Sequence, residues 1–252
     1  MKKLVQIKKP LNRKSSKICF TGPRIEEVLQ LVPESIERDR MNKIVEEFQR
    51  GFHFLRDFEL AASFFGSSRA KAEDKDYKEA VKLASLLAKD GFAIITGGGP
   101  GIMEAANKGA LEGGGRSAGI NIQLPDEQQT NKYVKESVAF YYFFIRKVML
   151  AFASEVYIFF PGGFGTLDEM FELVTLVQTR KIKPIPIILV GKAYWSPLLA
   201  WIENELYAKR GAVGKQDITV YHLVDDAKEA FEFISRMVVR AGRLVVEDEI
   251  HR

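Results

Sequence analysis

A chain of 252 residues with an ordinary globular composition can bury a substantial core, as one large domain or one domain with an appendage. The net charge of +4 is mild and spread out beyond the N-terminus, which suits an anionic small molecule as well as a nucleic acid. A single cysteine, Cys19, excludes an internal disulfide and fits a reducing cytoplasm, and no apolar run reaches membrane-spanning length.

Residues 1–16 are Lys-rich and expected to be mobile, and they lack the apolar core and cleavage signal of a secretory leader. A short apolar piece at 17–21 ends at Gly22-Pro23. Across 35–57, Ile36, Ile44, Val45, Phe48, Phe52 and Leu55 recur at helical spacing. This predicts a helical extension that covers the core or a neighbouring subunit; simple packing is the commoner use of such a helix.

From residue 60 the chain alternates. A strand at 60–65 runs into the loop Gly66-Ser67-Ser68-Arg69, and a helix through 77–89 stops at Asp90-Gly91. A strand at 92–95 enters Thr96-Gly97-Gly98-Gly99-Pro100-Gly101-Ile102-Met103 and a helix ending near 113. The strand at 118–124 is stopped by Pro125, and after a polar loop 137–142 reads as another strand. A short helix from about 143 leads to a strand at 156–160, a glycine-rich loop and a helix to Arg180. A strand at 186–190, a helix at 195–208, a short strand near Val220 and a helix at 226–237 precede a charged tail.

Strand, loop and helix repeated with short connections predict an α/β fold, a doubly wound parallel sheet with helices on both faces. The expected division is a basic arm and helical extension at 1–58, a nucleotide-binding and catalytic domain at 59–240, and the tail at 241–252. Ligands of such sheets bind at the carboxyl ends of the strands, where all three glycine-bearing loops lie.

The loop Pro161-Gly162-Gly163-Phe164-Gly165-Thr166-Leu167-Asp168-Glu169 carries most of the chemistry. Glycines let its backbone approach a ligand closely, and the amides and dipole of the following helix favour an anion. Thr166 is placed to cap that helix and offer its hydroxyl to the same anion. Glu169 lies one turn on, where the dipole favours its ionised form. That form suits stabilising a positive sugar or activating water better than donating a proton. Many strand-to-helix turns with two glycines bind nothing, but a third glycine followed by Thr exceeds what a turn needs. Asp168 reads as a surface acid.

The second glycine loop, Gly97-Gly98-Gly99-Pro100-Gly101, has Ile102 where a dinucleotide fingerprint needs its third glycine. Neither loop continues into a Walker Gly-Lys-Ser/Thr, which leaves a mononucleotide held between two loops. Arg146-Lys147 follow Phe140, Tyr141, Tyr142, Phe143 and Phe144. The pair reads as a solvated helix face or as ligand-facing charges, and the aromatics as core, subunit interface or the flank of a base. His53, His222 and His251 show no ligand spacing, so no metal is expected. No GxSxG marks a serine hydrolase, and no lysine stands in a recognisable pyridoxal phosphate setting.

The run from Pro161 to Glu169 matches the motif PGGxGTxxE, and Arg146-Lys147 matches an Arg-Lys pair upstream of it. With the loop from Gly97 to Met103, these resemble the LOG ("Lonely Guy") family of nucleoside 5′-monophosphate phosphoribohydrolases, long labelled lysine decarboxylases. The resemblance runs from about Leu60 to Met237. It implies a Rossmann-like fold, a homodimer or higher homo-oligomer with the site near the subunit interface, and no cofactor. The implied reaction is hydrolysis of the N-glycosidic bond to free base and ribose 5-phosphate. Arg146 and Glu169 take the catalytic positions, and Gly162, Gly163, Phe164, Gly165 and Thr166 the phosphate loop. Lys147 and Thr175 are implied binding residues, with Ser67, Gly98 and Gly99 from the other two loops.

Plant-type members carry Met-His before the Arg-Lys pair, with one residue between, where this chain has Phe143 and Phe144. The first glycine loop is also one residue shorter than GGGxxG, and both features resemble the longer bacterial members. The base stays open between isopentenyl-adenine and the purines of AMP or GMP. The expected partners are the nucleoside monophosphate and further copies of the chain, in the cytoplasm, without a membrane or a specific nucleic acid. The alternative is a non-catalytic nucleotide-binding carrier or sensor of the same fold. Glu169 and Arg146 speak for the enzyme, since phosphate binding alone needs neither.

Overall fold

The computed structural model describes residues 34–123 and 130–237. The Lys-rich arm, the apolar piece at 17–21, Pro125 and the charged tail lie outside them. The chain divides into units at 1–41 and 42–252; the described part of the first is the opening of helix α1 (Glu34–Leu55).

The strands are β1 (Ala61–Phe65), β2 (Ala93–Thr96), β3 (Ser117–Ile122), β4 (Glu136–Phe140), β5 (Val156–Phe159), β6 (Ile187–Val190) and β7 (Tyr221–Val224). They form one seven-stranded sheet in the order β4-β3-β2-β1-β5-β6-β7, and every pairing is parallel. The helices are α2 (Lys75–Lys89), α3 (Ile102–Glu112), α4 (Phe143–Ala151), α5 (Phe164–Gln178), α6 (Lys192–Trp201) and α7 over 227–237.

Successive strand residues serve opposite faces, and here both faces are dry. Ala62, Phe64, Ile94, Ile158 and Ile188 point into one core with α2, α3 and α7. Ala61, Phe65, Ile95, Tyr157 and Phe159 point into the other, which α4, α5 and α6 cover. The 42–55 stretch of α1 packs on this second core through Ile44, Phe48, Phe54 and Leu55, so this stretch covers the core of its own chain. This is the Rossmann-like doubly wound arrangement. The strand order reverses between β1, which pairs β2 on one side, and β5 on the other. A crevice at that reversal is where such sheets hold ligands.

Two elements depart from the sequence pattern. The expected helix at 195–208 starts earlier, at Lys192 after Gly191, runs through Pro197 and continues over Ile202–Lys209 as a wider π-helical segment. Pro197 supplies no N–H to the helical ladder. Strand β4 stops at Phe140 although the apolar run continues. The next two amides, of Tyr141 and Tyr142, donate to the Glu47 carboxylate of α1 and so leave the sheet.

Candidate active site

Three loops leave the carboxyl ends of β1, β2 and β5 and are stitched together by backbone bonds. The Ser67 amide donates to the Pro161 carbonyl, and the Ile102 amide to the Ser67 carbonyl, each at 3.0 Å. A cavity of about 940 Å³ opens beside them, lined among others by Ser67, Gly97, Arg146, Gly163, Thr166 and Glu169.

Helix α5 aims its N-terminus into this cavity. Gly163 is the cap residue and no side chain caps the helix. Thr166 is therefore not the cap that its position suggested. It is the third helical residue, and its amide donates to the Gly163 carbonyl at 3.0 Å. Its buried side chain lies over Gly162, where a Cβ would overlap the Thr166 hydroxyl oxygen. The Phe164 and Gly165 amides that open the helix have no intrahelical acceptor, and nothing lies within 4 Å of the Cβ positions at Gly163 and Gly165. The tip is thus an open cluster of donors at the positive end of a dipole. Phe164, 92% exposed, stands at its rim.

Arg146 is not on a solvated face. Helix α4 turns it inward, where its Nε donates to the Ile120 carbonyl of β3 at 2.9 Å. A Cβ at Gly97 would overlap the guanidinium, so the missing side chain there makes room for Arg146. Burial pulls its pKa below the ordinary arginine range, and the neighbouring Glu169 pulls it back up. Lys147 leaves the cavity lining to its neighbour. Its Nζ sits 2.7 Å from Asp168 and 3.1 Å from Glu172. Burial acts to lower the Lys147 pKa, but these bonds outweigh it and hold the ammonium above its usual value. Asp168 is accordingly an ion-pair partner that also touches the cavity.

Glu169 is only 7% exposed. Burial pushes its carboxyl up to about 7, against the pull of Arg146 and Lys147 and with a small push from Glu172 and Asp168. The expected ionised carboxylate is thus corrected to one close to half-protonated at neutral pH. The helix dipole acts within one turn, while desolvation by the surrounding elements acts on the whole group.

This shift has a measurable consequence for stability. With a folded pKa of about 7 against an ordinary 4.5, the folded state holds the extra proton between those limits, so this contribution fades as pH rises through them. Between pH 4.5 and 8, denaturant melts should show wild type losing about 3 kcal/mol relative to Glu169→Gln, whose amide does not titrate. A pH-independent gap between the two would mean an unshifted carboxyl.

The remaining sequence candidates divide. Ser67 lines the cavity, and its hydroxyl accepts the Arg69 amide at 3.1 Å. The Gly98 and Gly99 carbonyls are held by the Asn131 side chain at 3.2 and 2.9 Å. Asn131 also reaches buried Asn107, which accepts from Thr96 at 2.7 Å, so this network fixes the loop and leaves Gly97 facing the cavity. The Thr175 hydroxyl donates to the Phe171 carbonyl of its own helix at 2.7 Å, away from the lining residues. Gly97, Arg69 and Asp76 line the cavity without having been singled out. Arg69 and Asp76 follow no spacing rule, whereas the glycine run already contained Gly97. Among the described residues no group of three His, Cys, Asp or Glu could hold a metal, and no helix is long and apolar enough to cross a membrane.

Known proteins resemble the chain in sequence and in fold. A family model described as possible lysine decarboxylase matches residues 103–234. The chain belongs to this family, the LOG family. A probable cytokinin riboside 5′-monophosphate phosphoribohydrolase of Oryza sativa is 31% identical over 192 residues, 75% of either chain. One of Arabidopsis thaliana is 28% identical over 184 residues, 71% of this chain and 83% of its own. Against another rice relative, 32% identical, the alignment spans 60% of this chain and 61% of that protein. Among solved structures, the molybdenum cofactor binding protein of Rippkaea orientalis superposes with a TM-score of 0.53 at 22% identity, over 71% of this chain and 96% of its own. The molybdenum cofactor carrier protein of Chlamydomonas reinhardtii gives 0.53 at 20% identity, over 71% and 98%. These structures share the LOG fold.

Proposed function

We propose that this LOG family member hydrolyses the N-glycosidic bond of a nucleoside 5′-monophosphate, releasing the free base and ribose 5-phosphate. The observation that carries this reading is the buried carboxyl of Glu169, with a pKa near 7, one turn along from an uncapped helix tip and in the field of Arg146. The open amides at Gly163, Phe164 and Gly165 hold the phosphate, remote from the bond that breaks. That grip orients the sugar over Glu169. Cleavage builds positive charge on the sugar, as in glycoside hydrolysis, and a carboxylate beside it stabilises that charge and takes a proton from the attacking water. Arg146 holds the nucleotide and eases charge onto the departing base. The phosphoribohydrolase relatives support the reaction class. The exposed Phe143, Phe144 and Phe152 along α4 support assembly of copies beside the site.

A decarboxylase would need pyridoxal phosphate on a Schiff-base lysine. The residues here do not fit it: no lysine is among the described residues that line the cavity.

The deciding assay incubates the protein with AMP, GMP and isopentenyladenosine 5′-monophosphate and separates the products. Base and ribose 5-phosphate are expected in equal amounts. Tight binding without release would make the protein a carrier, and carbon dioxide from lysine would restore the decarboxylase.

A further inference from the structure

Helix α1 lies outside residues 103–234 that the family model matches, yet one turn of it reaches the entry of the helix carrying Arg146. The Glu47 carboxylate is buried. One of its oxygens accepts the Tyr141 amide at 2.8 Å and the other the Tyr142 amide at 3.2 Å. Tyr142 is the N-terminal cap residue of α4. Three residues on from Glu47, the Arg50 Nη2 donates to the Ala139 carbonyl at 2.7 Å and lies 3.5 Å from Glu47. The next residue, Gly51, lets α1 close on Met149 of α4, whose sulfur a Cβ there would overlap. One face of α1 thus grips the backbone turn from β4 into α4. Arg146 is one turn further along, its amide donating to the Tyr142 carbonyl at 3.2 Å.

A carboxylate taken out of water is costly unless fully bonded, and apolar packing of α1 needs none. What two charge-assisted bonds to successive amides add is direction: they fix where α4 begins and how it is rotated. We propose that Glu47 is a positioning residue, which sets α4 so that Arg146 lies against Gly97 and beside Glu169. The N-terminal extension then serves the site without touching the substrate. The proposal rests on Arg146 being part of the site described above.

The test is a double-substitution cycle in the full chain: Glu47→Ala and Arg146→Ala, singly and together, with Glu47→Gln as a fourth variant. Each is assayed on whichever of AMP, GMP and isopentenyladenosine 5′-monophosphate wild type turns over fastest, and each is melted thermally. Misplacing a catalytic group by about 1 Å can cost roughly a hundredfold, so Glu47→Ala should lower kcat by about ten- to a hundredfold. KM should rise much less than kcat falls, because α5 grips the phosphate and Arg146 supplies only part of the hold. Glu47→Gln keeps one acceptor oxygen and should recover part of the rate even if the Ala variant folds poorly. In the Arg146→Ala background, removing Glu47 should cost little more. An equal loss in both backgrounds, or no loss in Glu47→Ala, overturns the proposal. If wild type binds a monophosphate without turnover, the hydrolase reading fails and the same cycle is read in Kd. Coupling between the two positions then supports the proposal, and additivity overturns it. A wild type that neither binds nor cleaves any of the three overturns both.

Discussion

Glu169→Gln is expected to lower turnover of the preferred nucleoside monophosphate by about a thousandfold while leaving its binding nearly intact, in line with the loss of a general base. The substitution keeps the shape of the side chain and leaves the helix tip at Gly163 to Gly165 untouched, so the phosphate grip survives. It removes the charge that attends the sugar and the site that accepts a proton from water. Wild type carries a further signature. Burial holds the Glu169 pKa at about 7, so a base at this position loses activity as pH falls through that value. We therefore expect kcat/KM to rise from pH 5 to 8 with a limb near 7. In kcat the same limb should lie higher, because bound phosphate and excluded water disfavour the carboxylate further. A limb on the alkaline side would instead make Glu169 a proton donor to the base. Full turnover by Glu169→Gln would remove it from the chemistry.

The fold was legible because two simple periods alternate along the chain. Runs such as Phe92-Ala93-Ile94-Ile95 read as strands buried on both faces, and the glycines after them mark where the chain turns at the sheet's carboxyl edge. The candidate phosphate loop was legible for the same reason, since its glycines, helix start and carboxylate are consecutive. What the sequence hid were effects of elements far apart in it. Apart from the resemblance, Arg146 could be read as a solvated or as a ligand-facing cation, because nothing nearby in the chain shows that Gly97, 49 positions earlier, makes room for it. Glu169 looked ionised because the dipole is local and can be read from the sequence, whereas its burial is a property of the folded chain. Thr166 looked like a cap because Thr is a good one, but the helix already begins at Phe164 and Gly163 takes that place. The hold of Glu47 on the start of α4 spans 94 positions and leaves no periodic trace.

The glycines themselves are not alike, and substituting two of them should separate folding from binding. Gly101 adopts φ of +72°, and a Cβ there would overlap the Ser67 carbonyl oxygen and stand 2.8 Å from the Ser68 Cα. Both obstacles are backbone, so neither can rotate away. A positive φ with ψ of −129° is nearly confined to glycine and costs another residue about 1–3 kcal/mol, and the overlap adds about 1–3 kcal/mol more. Gly101→Ala should therefore lose about 3 kcal/mol of stability, melt near 10 °C lower, and lose activity as the β1 and β2 loops part. Gly163 is the opposite case. Its φ of −99° suits any residue, and nothing lies within 4 Å of where a Cβ would go. Gly163→Ala should melt like wild type. Yet that open space lies in the cavity at the helix tip, where the phosphate must come within hydrogen-bond distance of the amides. A methyl group there keeps it off, so KM should rise by about tenfold or more, and ribose 5-phosphate should bind more weakly by a similar factor. If Gly163→Ala instead bound ribose 5-phosphate as wild type does, the phosphate would have to be held away from the tip of α5. Glu169, one turn behind that tip, would then no longer be beside the sugar.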